Sequence, residues 1–238
     1  MVSWAARDFT RSNDWYINYR QNIGDNTELL TYVDLYDSKE NDDVTKILDR
    51  DYARKTVKLQ LKHKYFNNHY FIVGTDYMNE KLKGLDSNGG YTGRNTEKTD
   101  YGVFTINELK FGKFTFAQGL RFNKAKYDFY WREKYPVPRN IRGEHGEQEY
   151  KNYAANLELR YDYSNTGMVY GKWSRDFRTP LAREMYYTLD GSKLKAQTQN
   201  TFEIGVKDYI AGSYVSLSTF YKKTNGEIYY EGTPNKES

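Results

Sequence analysis

The sequence predicts an all-β fold, an antiparallel up-and-down segment of a transmembrane β-barrel with about ten strands. Apolar and polar residues alternate with period two in many segments, these segments come in pairs joined by short turns, and long hydrophilic loops separate the pairs. Because successive side chains of a strand point to opposite faces, one face of such a strand suits hydrocarbon and the other suits water.

The alternation is clearest in two segments. In residues 57–65 one face carries Val57, Leu59 and Leu61, and every interleaved residue from position 58 to 64 is polar. In residues 152–163 one face carries tyrosine, leucine and alanine, whereas the interleaved face carries asparagine, glutamate, arginine and aspartate. Each segment therefore has the two-faced pattern of a strand between oil and water.

The short and long connections alternate strictly along the chain. We predict strands at residues 14–21, 27–37, 52–66, 69–82, 99–111, 114–130, 151–163, 168–175, 199–209 and 213–223. Within each pair the turn is short and contains Asn or Gly, which supply positive φ in tight hairpins. All short turns then lie at one end, as in bacterial outer-membrane barrels, whose short turns are periplasmic and whose long loops are extracellular.

Aromatic residues make up 17% of the chain, although its mean hydropathy is only -0.95. Several flank the predicted short turns, among them Tyr65, Phe71, Phe111, Phe114 and Tyr161. We interpret them as a periplasmic aromatic girdle. Such aromatics near hairpins also fit a soluble β-sandwich.

Composition excludes several other classes. No apolar run approaches the roughly 18 residues that a membrane-spanning helix needs. Cysteine is absent, which removes disulfides and cysteine-ligated metal sites, and a net charge of +4 is too small to argue for a nucleic-acid partner. The N-terminal residues contain Arg7 and Asp8 where a signal peptide needs an apolar core, so the chain is expected to be cytosolic or to lack its beginning.

Four segments together resemble TonB-dependent outer-membrane receptors. Residues 170–187, YGKWSRDFRTPLAREMYY, resemble the family's strand-to-loop stretch with its Phe-Arg-x-Pro box, here 177–180. Residues 194–207 and 215–228 resemble the next two elements, and 119–122 match a Gly-Leu-Arg-aromatic strand. The resemblance covers about 119–228, and the earlier strands agree with the family by pattern only.

The resemblance implies a 22-stranded barrel with a plugged lumen. The family's N-terminal plug and aromatic-ended final strand have no counterpart here, so residues 1–238 are expected to be a partial barrel domain without the plug domain and the C-terminal strands. The implied function is TonB-dependent uptake of an iron chelate such as a siderophore at the cell outer membrane. The implied partners are that chelate or another small nutrient, outer-membrane lipid, and the TonB complex through the absent plug, with no nucleic acid and no cofactor.

By analogy with the family's binding loops, the expected ligand-binding residues are Trp131, Arg178, Tyr186 and Tyr187. Aromatic rings and arginine stack on and pair with anionic or aromatic chelates. Packing within a girdle or a loop is the competing interpretation of the same residues. Haem is disfavoured because no histidine lies between Arg178 and Leu194, and no metal site is expected, although His145 in a long loop could touch a metal chelate.

Three alternatives remain open at this stage. A barrel enzyme would need a nucleophile or activated water beside an oriented base, and the sequence offers no such motif, so no catalytic residues are expected. A soluble carbohydrate-binding β-sandwich would also use strand tyrosines and tryptophans, but it gives no reason for every second connection to be long. A porin independent of TonB is the third.

Overall fold

The fold consists of ten β-strands in a computed structural model that describes residues 8–42, 48–66, 69–86, 92–132, 145–181 and 194–228. The strands are β1 (Asp8–Ile23), β2 (Thr27–Asp42), β3 (Leu48–Tyr65), β4 (His69–Asp86), β5 (Thr92–Phe111), β6 (Phe114–Arg132), β7 (His145–Asp162), β8 (Met168–Arg178), β9 (Gln197–Ile210) and β10 (Ser213–Asn225). All ten predicted strands are confirmed.

The strands form one antiparallel sheet in which each strand pairs with its neighbours in the sequence. Within the described residues β1 and β10 each pair with one neighbour, so the sheet is open. A single layer in up-and-down order contradicts the two-layer sandwich and agrees with the predicted barrel segment. No helix among these residues is long and apolar enough to cross a membrane.

The strands run further toward the long loops than the sequence predicts. β4 ends at Asp86 instead of 82, β5 begins at Thr92 instead of 99, and β7 begins at His145 instead of 151. In these extensions polar residues occupy both faces, as in Glu97, Lys98 and Thr99. The backbone pairing continues there although the two-faced pattern stops, since a strand with water on both sides needs no apolar face.

The sheet has an apolar face and a polar face. The apolar face contains Val57, Leu59 and Leu61 of β3 together with Leu120 and Phe122 of β6, and it extends across the sheet because side chains of paired residues point to the same side. These side chains are exposed, Phe122 by 61%. A contiguous exposed surface of this kind suits hydrocarbon. The polar face contains the interleaved residues.

Aromatic rings border the apolar face at both ends. At the short turns His69 contacts Phe111, with ring centroids 5.0 Å apart, and Phe114 contacts Tyr161 at 4.8 Å. Toward the long loops lies a second row that the sequence did not reveal. We call it the upper belt, and eight of its ten members are aromatic, since β2 and β3 contribute aliphatic residues. The members are Trp15, Leu35, Val57, Tyr77, Tyr101, Phe122, Tyr153, Trp173, Phe202 and Tyr221.

The upper belt is staggered against the hydrogen-bond register. Val33, not Leu35, pairs with Val57, and Leu157, not Tyr153, pairs with Trp173. From β1 to β10 the belt shifts by roughly eight residues, always toward the short turns, which corresponds to a strand tilt of about 30° from typical strand spacings. Because barrel strands must tilt, the stagger is the one expected of a barrel wall. At this tilt the distance between the lower aromatic row and the upper belt gives the apolar band a height of roughly 22 Å, near that of the apolar band of outer-membrane barrels.

A charged side chain on the apolar face should destabilise the protein in lipid. Leu61 lies midway between the short turn and the upper belt on β3, and the adjacent Gln60 lies on the polar face. We expect Leu61→Lys to reduce the free energy of unfolding by about 2–4 kcal/mol in lipid vesicles, because a lysine at the bilayer midplane must be desolvated. The matched control, Gln60→Lys, should cost much less. Denaturant titration measures both, and equal effects would contradict the assignment of the faces.

Candidate functional site: the polar face and its loop end

Ion pairs across neighbouring strands organise the polar face. Arg121 of β6 reaches across β5 to Asp76 of β4, with two nitrogen to oxygen distances of 2.6 and 2.7 Å. Arg54 pairs with the buried Asp34 at 3.0 Å. Bidentate pairs of arginine and carboxylate are the strongest hydrogen-bonded ion pairs, so these links hold the strands in register.

Gly102 makes the Arg121 to Asp76 link possible. It lies on β5 between the two partners, and a Cβ at this position would overlap Arg121 Nη2 and lie 2.7 Å from Asp76 Oδ1. Any other residue would therefore push the guanidinium off the sheet. The absent side chain lets a long arginine lie flat on the polar face.

A shallow hollow of about 420 Å³ lies on the middle of this face. Its lining includes Lys58, Phe104, Arg121, Asn156 and Asp176. The ammonium of Lys58 lies 5.3 Å from the centre of the Phe104 ring. The hollow thus combines cations, amides and an aromatic ring, which are groups able to contact an anionic or aromatic molecule. Among the described residues, no three His, Asp or Glu side chains are placed to share a metal ion.

In the described part of the chain, the buried hydrophobic side chains cluster where the polar face meets the loop between β8 and β9. Tyr127 of β6 is 2% exposed and Tyr150 of β7 is 7% exposed, and their rings meet edge to face at 5.4 Å. Ala125 completes this cluster, and Leu194 and Ala196 pack against it. Many large apolar side chains elsewhere in the sheet are exposed, so this cluster is its local core.

Hydrogen bonds attach both stems of that loop to the cluster. The hydroxyl of Tyr127 donates to the Pro180 carbonyl at 2.5 Å, on the stem that leaves β8. The hydroxyl of Tyr150 and the amide of Gln148 donate to the Leu194 carbonyl, at 2.7 and 3.1 Å, on the stem that leads to β9. The polar face of β6 and β7 therefore fixes both ends of one long loop.

Burial keeps the two phenols protonated. It raises the pKa of Tyr127 well above its ordinary value and that of Tyr150 to about 12. Both residues lie beyond the upper belt, and both remain hydrogen-bond donors throughout the neutral pH range. The two attachments are consequently independent of pH in that range.

The predicted ligand-binding residues fall in different places. Arg178 is the last residue of β8 and is half-buried next to Thr179, which is 8% exposed, and the buried Pro180. Trp131 belongs to β6, where its backbone pairs with Arg94, and not to the loop in which it was predicted. Tyr186 and Tyr187 lie outside the described residues. The backbone of His145 likewise begins β7 instead of lying within a loop.

Sequence reasoning missed Tyr127 and Tyr150. Both occupy polar-face positions of their strands, where large aromatic residues interrupt an otherwise polar row. That interruption was the available signal. The partners of the two hydroxyls, however, lie 53 and 44 residues away in the chain, and nothing local in the sequence identifies them.

Comparison with known families decides what kind of sheet this is. The family model described as TonB dependent receptor-like, beta-barrel, matches residues 2–237. The chain belongs to this family. The family and its solved members found here are transport receptors and not enzymes, which agrees with the prediction from sequence.

Solved TonB-dependent receptors share the fold. The ferric citrate transporter FecA in the unliganded form is 14% identical and superposes with a TM-score of 0.76, covering 97% of this chain and 37% of that one. The siderophore receptor PiuA from Acinetobacter baumannii is 14% identical and superposes with a TM-score of 0.72, covering 91% of this chain and 41% of that one. The ferric-catecholate import receptor Fiu from Escherichia coli K12 is also 14% identical, with a TM-score of 0.71 and the same two coverages, 91% of this chain and 41% of that one. This TonB-dependent receptor chain therefore spans about two-fifths of each solved receptor's length.

A curated relative is more similar in sequence over a shorter stretch. The hemoglobin and hemoglobin-haptoglobin-binding protein C of Haemophilus influenzae is 32% identical over 80 residues, which is 30% of this chain and 8% of that protein. The TonB-dependent receptor chain thus corresponds to a small part of this relative.

Removing either tyrosine hydroxyl should loosen the stem that it holds. We expect Tyr127→Phe to speed amide hydrogen exchange about fivefold in 178–181, and Tyr150→Phe to do the same in 194–197, because each loses one hydrogen bond worth about 1 kcal/mol. Tyr170→Phe is the matched control: it removes a 2.7 Å bond to Glu203 on the same face, near the short turns. Unchanged exchange in both stems would show that the hydroxyls do not restrain the loop.

Proposed function

We propose that this chain forms part of the barrel wall and the extracellular rim of an outer-membrane receptor that imports an iron chelate by a TonB-dependent route. The observation that carries the proposal is the staggered two-faced sheet, with an apolar face between two aromatic rows, in a chain that belongs to the TonB-dependent receptor family. A wall of this kind separates lipid on one side from a polar interior on the other.

The proposed ligand class is a ferric chelate such as a siderophore. The names of three solved neighbours, a ferric citrate transporter, a siderophore receptor and a ferric-catecholate import receptor, support this class. Such chelates carry carboxylates or aromatic rings, and the polar face offers arginine, lysine and aromatic side chains to meet them. In this proposal the chain supplies the capturing surface, and a plug domain elsewhere in the whole receptor couples it to TonB.

Arg178 is the described residue best suited to contact the ligand at the rim. Its backbone is fixed by pairing with Gln197 at the end of β8, two residues before the anchored Pro180 carbonyl. A side chain on a fixed backbone has less conformational entropy to lose when it binds an anion. We propose Trp131, Tyr186 and Tyr187 as its aromatic companions in ligand binding.

A second candidate ligand is iron carried by a protein. The similarity to a hemoglobin-binding protein over 80 residues favours it. The absence of histidine from positions 179–193 argues against direct ligation of haem iron by that loop, so this candidate would involve contact with the carrier protein. Measuring the binding of hemoglobin beside the binding of a ferric chelate separates the two ligand classes.

Substitution at the rim tests the proposal. In the complete receptor we expect Arg178→Ala and Tyr186→Ala each to weaken the binding of ferric citrate or a ferric catecholate about tenfold or more, because a charged hydrogen bond or a stacking contact is lost. Equilibrium binding with radioactive iron measures the affinity. Arg20→Ala is the matched control, since Arg20 lies near the short turn at the other end of the sheet and pairs with Glu28.

Three outcomes would contradict parts of the proposal. Unchanged affinity in both variants would remove Arg178 and Tyr186 from the site. Uptake that persists in cells without TonB would contradict the transport route. Saturable binding of hemoglobin, with no binding of either chelate, would replace the first ligand class by the second.

A further inference from the structure

The cations of the apolar face are confined to one side of the upper belt. Toward the short turns, the outward positions of the described strands carry His63, His69 and Asp208 but no lysine or arginine. Toward the long loops the outward positions carry many lysines and arginines. On five strands the first outward position past the upper belt is already basic. These five residues are Lys55, Lys124, Lys151, Arg175 and Lys223, against a single acidic residue at the same level, Asp37.

Three of these cations lie on adjacent strands. Lys124 of β6 and Lys151 of β7 are directly opposed in the register, an arrangement that repels unless an anion lies between them. Arg175 of β8 leans over the Tyr153 ring, with its Cζ 4.4 Å from the ring centre. The two lysines thus lie two residues past Phe122 and Tyr153, and the Arg175 guanidinium covers the Tyr153 ring beside them.

One carboxylate partly compensates this charge. Glu149 contacts Lys124 at 3.0 Å and Lys151 at 3.2 Å, and these two lysines hold its pKa below the ordinary value. Lys151 nevertheless stays 75% exposed, and the buried Nε of Arg175 has no hydrogen-bond acceptor among the described residues. The next acidic residues, Asp128 and Glu147, oppose one another further from the belt. The level nearest the apolar band thus keeps an excess of positive charge.

We propose that Lys124, Lys151 and Arg175 form a binding site for the phosphate group of a lipid in the outer leaflet. The site rests on the membrane placement in the proposed function. Its height commits it to a lipid: the acyl chains would lie on Phe122 and the neighbouring apolar residues, while the phosphate would lie between the three cations. Arginine offers a fork of donors to phosphate, and lysine contributes a point charge.

The test uses the complete receptor in neutral detergent and diphosphoryl lipid A as the probe. Each cation near an anionic lipid contributes about fivefold to binding, so Lys124→Gln with Lys151→Gln should weaken lipid A binding by roughly twentyfold. The matched control, Lys39→Gln with Lys81→Gln, removes two cations from the same face further from the belt, where they pair with Asp51 and Glu97. It should change binding less than twofold.

Further arms separate the sources of phosphate. Phosphatidylcholine micelles and millimolar inorganic phosphate should neither saturate the site nor displace lipid A. Equal binding by the double variant and the wild type, equal binding by phosphatidylcholine, or displacement by inorganic phosphate would each overturn the proposal. Lipid affinity is measured without any iron chelate, so a receptor that binds lipid A but no chelate would refute the proposed ligand and leave this site in place.

Discussion

Backbone hydrogen bonding in hydrocarbon is the constraint on which the rest of this structure depends. A strand surrounded by acyl chains has no water to satisfy its amides and carbonyls, so each inner strand must pair along its length with two neighbours. The continuous ladders from β1 to β10 meet that requirement for the strands between the two edges. Once every strand is paired in this way, the side chains alone decide which face meets lipid.

The apolar face shows how little internal packing such a wall needs. A soluble protein buries its large side chains against a second layer, whereas here Leu59, Leu120 and Phe122 remain exposed in the folded chain. Cohesion comes from the ladders and from polar links across strands, such as the Arg121 to Asp76 pair over Gly102. The Asp76 side chain is only 17% exposed, so water screens this pair less than it screens a pair at a fully exposed surface.

Prediction from sequence succeeded where lipid contacts one face of a strand and water contacts the other. Between the two aromatic rows each residue meets either lipid or water, so residues 57–65 reveal their faces and their strand. Beyond the upper belt both sides meet water, the alternation ends, and the starts of β5 and β7 could not be located from the pattern. The contacts of Tyr127, Tyr150 and Arg121 depend on register and on chain segments more than 40 residues away. No local sequence pattern encodes them.

The extension of β4 past the upper belt carries the edge of the sheet beyond the lipid headgroups. From Tyr77 to Asp86 the strand continues for nine residues, which at the tilt of this wall raises its end by about 25 Å. A headgroup layer is only about 5–7 Å deep. The end of β4 thus stands well clear of the headgroup layer, so any molecule that contacts the protein there does so in water.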